Sequence, residues 1–421
     1  MVPTASGMAL HKHQAECFAD PHRFKVVVSG RRWGKTRLCL AEILRAARKP
    51  RQNVWYVAPT YRMAKQIMWR DLLEAIPKPY MVKSNETSLD ITLINKTVIS
   101  LRGADKPDTL RGVDINFLVI DEAQGVKPEV WTTVLRATLA ESRGRVLFTG
   151  TPKAYNFLHD LYQKGAKSHV TMKSGQIIKN PWKSWQFPTI SSPFIPLAEI
   201  EAARSDMDER TFRQEFEATF ESMSGRVYHA FSRHDHVGTY EFNPKLPIWI
   251  GQDFNIDPMS SVVLQLQNNG EVWAVDEVYL RDSNTLSTCN ELERRYWRFI
   301  PQMTVYPDPS GANRQSGRGE SDLDIFKERG FKRIKYRKKH PPVADRVNAV
   351  NKMLRSADGI IRIRVNSKCK NLINSLEQTL YKKNSYDVDK KLGVEHITDA
   401  LGYAIELEYP RRKFESAGLS M

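Results

Sequence analysis

The chain has 421 residues, 41% hydrophobic and 27% charged, a composition that excludes disordered, collagenous and coiled-coil classes and at this length favours two domains over one. Lys and Arg number 64 against 48 Asp and Glu, leaving a formal net charge of +16 that points to a polyanionic partner such as nucleic acid rather than a neutral metabolite. The four cysteines (Cys17, Cys39, Cys289, Cys369) form no C-x-x-C pair, no signal-peptide pattern is present, and no apolar run approaches the roughly 18 to 20 residues that cross a bilayer. A reducing, intracellular setting with no disulfide framework, zinc site or membrane role is therefore expected.

In the first half, short apolar runs at Lys25–Ser29, Val54–Ala58, Phe117–Ile120 and Val146–Thr149 read as buried strands. Thr36–Arg48 and Tyr61–Ile76 between them carry apolar residues at helical spacing, and the alternation predicts a parallel sheet wrapped by helices. From Lys153 the pattern loosens around Pro181, Pro188, Pro193 and Pro196 before a helical stretch at Leu197–Phe220, which reads as a small appendage ending the first domain. The expected division is a first domain over 1–221, a turn-rich linker over 222–246, a second domain over 247–410 and a tail over 411–421.

The second domain opens with three β-rich runs, Ile248–Phe254, Ser261–Gln267 and Val272–Tyr279, the last two joined by the hairpin signal Asn268-Asn269-Gly270. A helix (Ser287–Phe299), a strand (Met303–Tyr306), a basic strand (Arg333–Arg337), a helix (Val343–Ser356), a strand (Gly359–Val365) and two helices (Ser367–Leu380, Glu395–Leu407) follow. Three strands and then alternating helices and strands is the ribonuclease H order. The Gly-, Ser- and Arg-rich passage Gly311–Glu320 reads as a mobile loop.

Ser29-Gly30-Arg31-Arg32-Trp33-Gly34-Lys35-Thr36 follows a strand and opens a helix, the setting a phosphate-binding loop requires. Its backbone N–H groups can cradle the phosphates of ATP, Lys35 can neutralise them, and Thr36 can ligate Mg²⁺. The pattern departs from G-x-x-x-x-G-K-[ST] only at Ser29, with Gly30 beside it. Phe117–Ile120 then runs into Asp121 and Glu122. Asp121 is placed to hold Mg²⁺ and Glu122 to polarise the attacking water, a division of labour suited to an ATPase. Thr149, in Thr149-Gly150-Thr151, is placed to sense the γ-phosphate. Gln14 is either an adenine-edge reader or a surface residue of an N-terminal helix. Arg31, Arg32, Arg102 and Arg111 are candidates for an arginine that stabilises the transition state, with Arg102 carried among the catalytic set.

In the second half, Asp253 ends the first strand, Asp308 ends the fourth, and Asp399 sits in the last helix. A ribonuclease H arrangement brings all three together, where two Mg²⁺ or Mn²⁺ ions can activate water and stabilise a leaving 3′ oxygen. Asp257, Asp276, Glu277 and His396 are auxiliary candidates, and strand alternation allows only one of Asp276 and Glu277 on the active face. Lys332–His340 and Arg294–Arg298 mix cations with aromatics, as a sequence-tolerant phosphate-backbone contact would.

Taken together, Ser29–Thr36, Phe117–Glu122, Thr149-Gly150-Thr151, Phe212–Phe216, Asp253, Asp308 and Asp399 resemble the large terminase subunits of tailed bacteriophages, over nearly the whole chain. The resemblance implies an N-terminal P-loop ATPase of the ASCE type and a C-terminal ribonuclease H-like nuclease. Together these would translocate double-stranded DNA into a procapsid and cut concatemers. It also implies a portal partner, a small terminase subunit and a docked homo-oligomeric ring, expected as a pentamer, working in the host cytoplasm and absent from the mature virion. The alternative is a helicase-like repair or recombination ATPase with an attached nuclease, for which Val57-Ala58-Pro59-Thr60 is the suggestive segment.

Overall fold

The computed structural model describes residues 2–3, 8–153, 155–171, 176–221, 225–313, 320–382, 385 and 387–410. The expected tail over 411–421, the start of the expected linker and the centre of the expected mobile loop lie outside the described residues. The chain divides into two compact units, Met1–Ile200 with Arg213–Ser222, and Glu201–Phe212 with Met223–Met421.

The first unit is built on α1 (Lys12–Ala19), β1 (Phe24–Ser29), α2 (Lys35–Ala47), β2 (Asn53–Ala58), β3 (Met81–Asn85), β4 (Asp90–Leu93), β5 (Val98–Gly103), β6 (Phe117–Ile120), β7 (Arg145–Gly150), α3 (Phe157–Gly165) and β8 (Trp182–Phe187). Its sheet runs β8-β1-β7-β6-β2-β5-β4-β3. All neighbours are parallel except the β3-β4 and β4-β5 pairs. Every residue of β1 and β6 is buried, which is why these strands read as continuous apolar runs: parallel strands are covered on both faces. One core, holding Leu38, Ile43, Tyr56 and Met68, fills one face, and a second, with Trp131, Phe148 and Leu161, fills the other. The strand β7 stands between β1, which feeds the Gly-Lys-Thr loop, and β6, which ends in Asp121. That interposed strand is the topological mark of the ASCE class.

Two expectations change here. The segment after Lys153 is not an appendage, because β8 pairs with β1 from Trp182↔Phe24 to Phe187↔Ser29 and completes the main sheet. The single helix expected over 197–220 is two, Leu197–Ser205 and Glu209–Glu215, because the Asp208 carboxylate accepts from the Thr211 N–H at 3.1 Å and starts a new helix. The hairpin β3-β4 is absent from the sequence reading for a physical reason. As an edge strand, β3 is almost wholly exposed and carries no apolar run.

The second unit contains β9 (Val237–Gly238), β10 (Ile248–Asp253), β11 (Met259–Leu266), β12 (Val272–Leu280), α4 (Thr285–Tyr296), β13 (Thr304–Pro307), β14 (Arg333–Ile334), α5 (Val343–Leu354), β15 (Ile363–Asn366), α6 (Lys370–Gln378) and α7 (His396–Glu408). Its sheet runs β9-β15-β12-β11-β10-β13-β14. The central five strands have the 3-2-1-4-5 order of ribonuclease H, with an antiparallel β10-β11-β12 meander and β13 parallel to β10. Helices α5, α6 and α7 cover one face and α4 the other. Residues 225–247 do not form a free linker. Val227, Tyr228 and Phe231 are core residues, and β9 pairs with β15. The basic strand is also shorter than expected, since only Arg333 and Ile334 pair with β13.

One glycine sets the geometry of this unit. A Cβ on Gly251, in the middle of β10, would lie 2.2 Å from the Ala400 carbonyl oxygen of α7. The helix therefore touches the strand backbone two residues before Asp253 and one residue after Asp399. We expect Gly251→Val to lift α7 off the sheet. It should cost about 1–3 kcal/mol in denaturant unfolding, as overpacked cores do.

Candidate active sites

The first site is built at the carboxyl ends of β1, β7 and β6, where a parallel sheet leaves its ligand crevice. The loop after β1 reaches Gly34 at φ 106°, a left-handed backbone that a side chain would strain, and α2 begins at Lys35. The Lys35 Nζ donates to the carbonyl oxygens of Ser29 and Gly30, each at 3.2 Å, and to the Thr151 hydroxyl at 2.9 Å. Burial pulls its pKa below the usual lysine range, opposed by the charges of Glu122 and Asp121 nearby. The half-buried ammonium donates only to neutral oxygens and has no carboxylate in hydrogen-bond contact among the described residues. The buried Ser29 hydroxyl has no hydrogen-bond partner among the described residues. Both features fit a phosphate group. Thr36 is the second residue of α2 and partly exposed at the same helix terminus.

Asp121 is clamped. Its Oδ2 accepts from the Tyr56 hydroxyl at 2.7 Å, and its Oδ1 accepts from the Thr149 hydroxyl at 2.5 Å and the Glu122 N–H at 2.9 Å. Glu122 sits at φ 50°, an uncommon conformation for a side-chain-bearing residue and one that turns it out of the strand line. The Gln124 amide donates to its carboxylate. Thr149 and Thr151 thus tie Asp121 and Lys35 to a single strand end. Tyr56, which was not legible as a site residue, is brought in by the β2-β6 register, Tyr56↔Val119.

Gln14 is not a surface residue: it is fully buried, and its amide donates to the Gly34 carbonyl at 2.8 Å. His11 approaches the Trp33 carbonyl at 3.1 Å, so α1 braces the loop. Trp33 is buried, stacks on Phe187 at 4.9 Å and donates its indole N–H to Ser191. Of the arginine candidates, Arg31 forms an ion pair with Glu215 and feels the charge of Glu122. Arg32 stands in the loop at φ 61°. Arg102 is a different matter, because β5 lies four strands from β1 and its guanidinium binds Asp90 at 2.8 Å, the Ser88 carbonyl and the face of Trp55. The structure does not bring Arg102 to the phosphate loop of its own chain. Arg111 pairs with Asp108 at 3.3 Å on the surface.

In the second unit Asp253 ends β10 and Asp308 follows β13 beside it, with the Asp308 N–H donating to the Gln252 carbonyl at 2.9 Å. Asp399 lies in the first turn of α7. Burial raises the Asp399 pKa, Arg346 lowers it, and the charge of Asp253 raises it further, so these two carboxylates repel each other. Each member of the triad meets a basic partner. Asp253 contacts His396 at 3.0 Å, Asp308 faces His340 at 3.4 Å, and Asp399 accepts from the buried Arg346 at 2.8 Å. The hydrogen bond and charge of Asp253 raise the His396 pKa. Hard carboxylate oxygens suit Mg²⁺ or Mn²⁺. Among the described residues, however, no three His, Cys, Asp or Glu side chains are gathered round one point. The donor type fits divalent ions, and His396, His340 and Arg346 are the basic groups that face the three carboxylates.

The other auxiliary candidates are committed elsewhere. Asp276 accepts from Tyr296 at 2.7 Å and Arg295 at 3.0 Å, Glu277 accepts from the N–H groups of Asn371 and Leu372 at the start of α6, and Asp257 lies 3.8 Å from Arg281. In the basic segment, Lys335 and Arg337 are paired with Glu408 and Glu406.

These two folds and sites define a class: a P-loop ATPase-type unit followed by a ribonuclease H-like unit. The family model described as terminase large subunit, T4likevirus-type, N-terminal matches residues 26–233, and the terminase RNaseH-like domain model matches residues 250–408. The chain belongs to the terminase large subunit family. It is 29% identical over 223 residues to the terminase large subunit of Escherichia phage T5, covering 52% of this chain and 49% of that one. It is 26% identical over 250 residues to that of Thermus virus P23-45, covering 53% and 51%. The chain thus spans about half the length of the curated relatives it matches. The large terminase of a thermophilic bacteriophage shares the fold over 95% of this chain and 99% of its own, with TM-score 0.62 and 16% identity. Structures of that protein with ADP and with ATP-gamma-S have TM-scores of 0.59 and 0.58.

A phosphate-bearing ligand at Lys35 should stabilise the protein. At about 100 times its dissociation constant ATP should add about 2.7 kcal/mol, read as a rise in melting temperature, and Lys35→Ala should abolish that rise without lowering the unliganded melting temperature.

Proposed function

We propose that the chain is the ATP-driven motor and nuclease of phage DNA packaging. The observation that carries the reading is the gathering of Lys35, Asp121 and Glu122 at the mouth of a parallel sheet, where Thr151 and Thr149 at one strand end bind Lys35 and Asp121 and the Glu122 N–H donates to Asp121. A separate carboxylate triad is spread over β10, β13 and α7 of a second unit. The folds of the terminase structures, including those holding ADP and ATP-gamma-S, support it.

In this reading Gly30, Arg31, Arg32, Trp33 and Gly34 present the loop backbone to the phosphates, with Lys35 neutralising charge and Gln14 and His11 fixing the loop from behind. Thr36 and Asp121 would hold Mg²⁺, which would supply charge neutralisation to the bound phosphates. Glu122 orients and deprotonates the attacking water. Thr149, bound to Asp121 on one side of β7's end, couples the state of the γ-phosphate to the strand. Asp253, Asp308 and Asp399 would hold two Mg²⁺ or Mn²⁺ ions, whose chemistry there would be to activate water and stabilise the leaving oxygen in phosphodiester cleavage. His396 and Arg346 orient the carboxylates. The exposed cations Lys332, Arg333, Lys338 and Lys339 track the backbone of double-stranded DNA. A transition-state arginine from the chain itself would be Arg31 or Arg32; Arg102 could serve only a site other than its own. The partners are double-stranded DNA, the portal of a procapsid, a small terminase subunit and further copies in a docked ring, a pentamer, in the host cytoplasm. The division into motor, connecting segment and nuclease is part of the same proposal. The helicase-like alternative needs a second motor unit, and the second unit here has the ribonuclease H strand order instead.

The test is plasmid cleavage with Mn²⁺, Mg²⁺ or EDTA alongside ATP turnover. Lys35→Ala or Glu122→Gln should lower turnover by at least about 10³-fold while metal-dependent cutting persists. Asp253→Ala or Asp308→Asn should do the reverse, and cutting that survives either change would remove the nuclease assignment. DNA binding should be sequence-tolerant and fall steeply between low and moderate salt, with a log–log slope near the number of phosphates contacted.

A further inference from the structure

The first unit carries a groove of about 480 Å³ that the packaging reading does not use. Its floor and walls are apolar: Leu44 and Ala47 at the end of α2, Ala75 and Ile76 at the end of the helical stretch from Tyr61, and Leu93 at the end of β4. Tyr80 and Ile94 stand on its lip, both 56% exposed, and Val82 beside them on β3 is 64% exposed. These are large apolar side chains left in water side by side, a pattern that marks an interaction surface more often than chance.

The groove is held open by hydrogen bonds, chiefly those of one polar lining side chain, Asn95. The Asn95 amide donates to the carbonyl oxygens of Ala47 at 2.8 Å and Lys49 at 3.2 Å, stitching the β4-β5 turn to the end of α2. The Ile94 N–H donates to the Tyr80 carbonyl at 3.0 Å. A preformed site binds without first spending free energy on ordering itself.

Its rim is basic. Arg48, Lys49, Arg51, Lys78 and Lys96 are all exposed on the turns that frame it, and among the described residues none of their side chains makes a salt bridge. Arg51 and Lys96 are held at φ 56° and 63°, so two of the cations occupy strained turn positions. The nearby acids are Asp71 and Glu74, and Glu74 is already bound to Arg70 at 2.6 Å. An apolar floor within a positive rim is matched by a helix with an apolar stripe flanked by carboxylates. It is poorly matched by a nucleic-acid backbone, which offers phosphates but no apolar stripe.

We propose that this groove is a docking site for an acidic amphipathic helix of a partner protein. The proposal is independent of the two active sites. It is tested on the full chain by fluorescence anisotropy with a labelled synthetic helix of about 18 residues, bearing leucines at i, i+3, i+4 and i+7 and glutamates on its flanks. The control is the same peptide with lysines for the glutamates. The acidic peptide should bind at least about tenfold more tightly than the basic one. Tyr80→Glu with Ile94→Glu should weaken it by at least about tenfold, and so should Lys78→Glu with Lys96→Glu, while ATP turnover stays at the wild-type level as the control for folding. Equal binding of the two peptides, no binding of either, or indifference to both variant pairs overturns the proposal. Displacement of the peptide by a short DNA duplex whose own affinity falls in the Tyr80/Ile94 variant would make the surface a DNA contact instead. Self-association lost in that variant would make it a contact between copies.

Discussion

The first site depends on one immobile carboxylate. Asp121 is nearly fully buried, and it keeps its place because Tyr56, Thr149 and the Glu122 N–H donate to its oxygens from three directions. A buried carboxylate with fewer donors would face a large desolvation penalty. Because Thr149 lies at the end of β7 and Tyr56 lies in β2, the strands on either side of β6 are bound to the same carboxylate, one through each oxygen. Any shift of Asp121 has to move the neighbouring strands, which makes it a fixed point against which Lys35 and Glu122 can be set.

The second unit solves the opposite problem, bringing like charges together. The Gly251 contact lets α7 sit directly on β10, and burial then works against Asp399 while Arg346 compensates. Arg346 also lies 4.5 Å from the Tyr403 ring, and among the described residues its Nε has no hydrogen-bond partner. A buried guanidinium shared between a carboxylate and a ring is expensive to arrange for stability alone, as buried ion pairs generally are. Here it holds the Asp399 carboxylate in place at the start of α7. Lys25 with Glu42 at 2.5 Å, both buried, is the structural counterpart in the first unit, where Lys25 also donates to the Cys17 carbonyl and ties α1, β1 and α2 together.

What the sequence by itself determined was the set of elements whose physics is local. Apolar runs named β1, β2, β6 and β7, because strands buried on both faces have no polar phase. The Gly34-Lys35-Thr36 turn was legible because a loop that meets phosphates needs a left-handed residue, a cation and a helix start in succession. The hairpin before Val272 was legible from its turn residues. Asp253, Asp308 and Asp399 could be selected because each ends or begins an element in an order that only a few topologies share.

Tertiary structure decided what depends on partners distant in the chain. It placed β8 against β1, where a half-exposed Trp-Lys-Ser-Trp-Gln-Phe run has no distinguishing period. It packed Val227, Tyr228 and Phe231 into a core despite their turn-rich surroundings, and it divided one apparent helix at Asp208. It buried Gln14 behind the loop, committed Asp276 and Glu277 to Tyr296 and the start of α6, and bound Arg102 to Asp90. Sequence spacing fixes which face of its own element a side chain occupies. Which other element that face meets is set by strand order and register, and these are settled only when the whole sheet assembles.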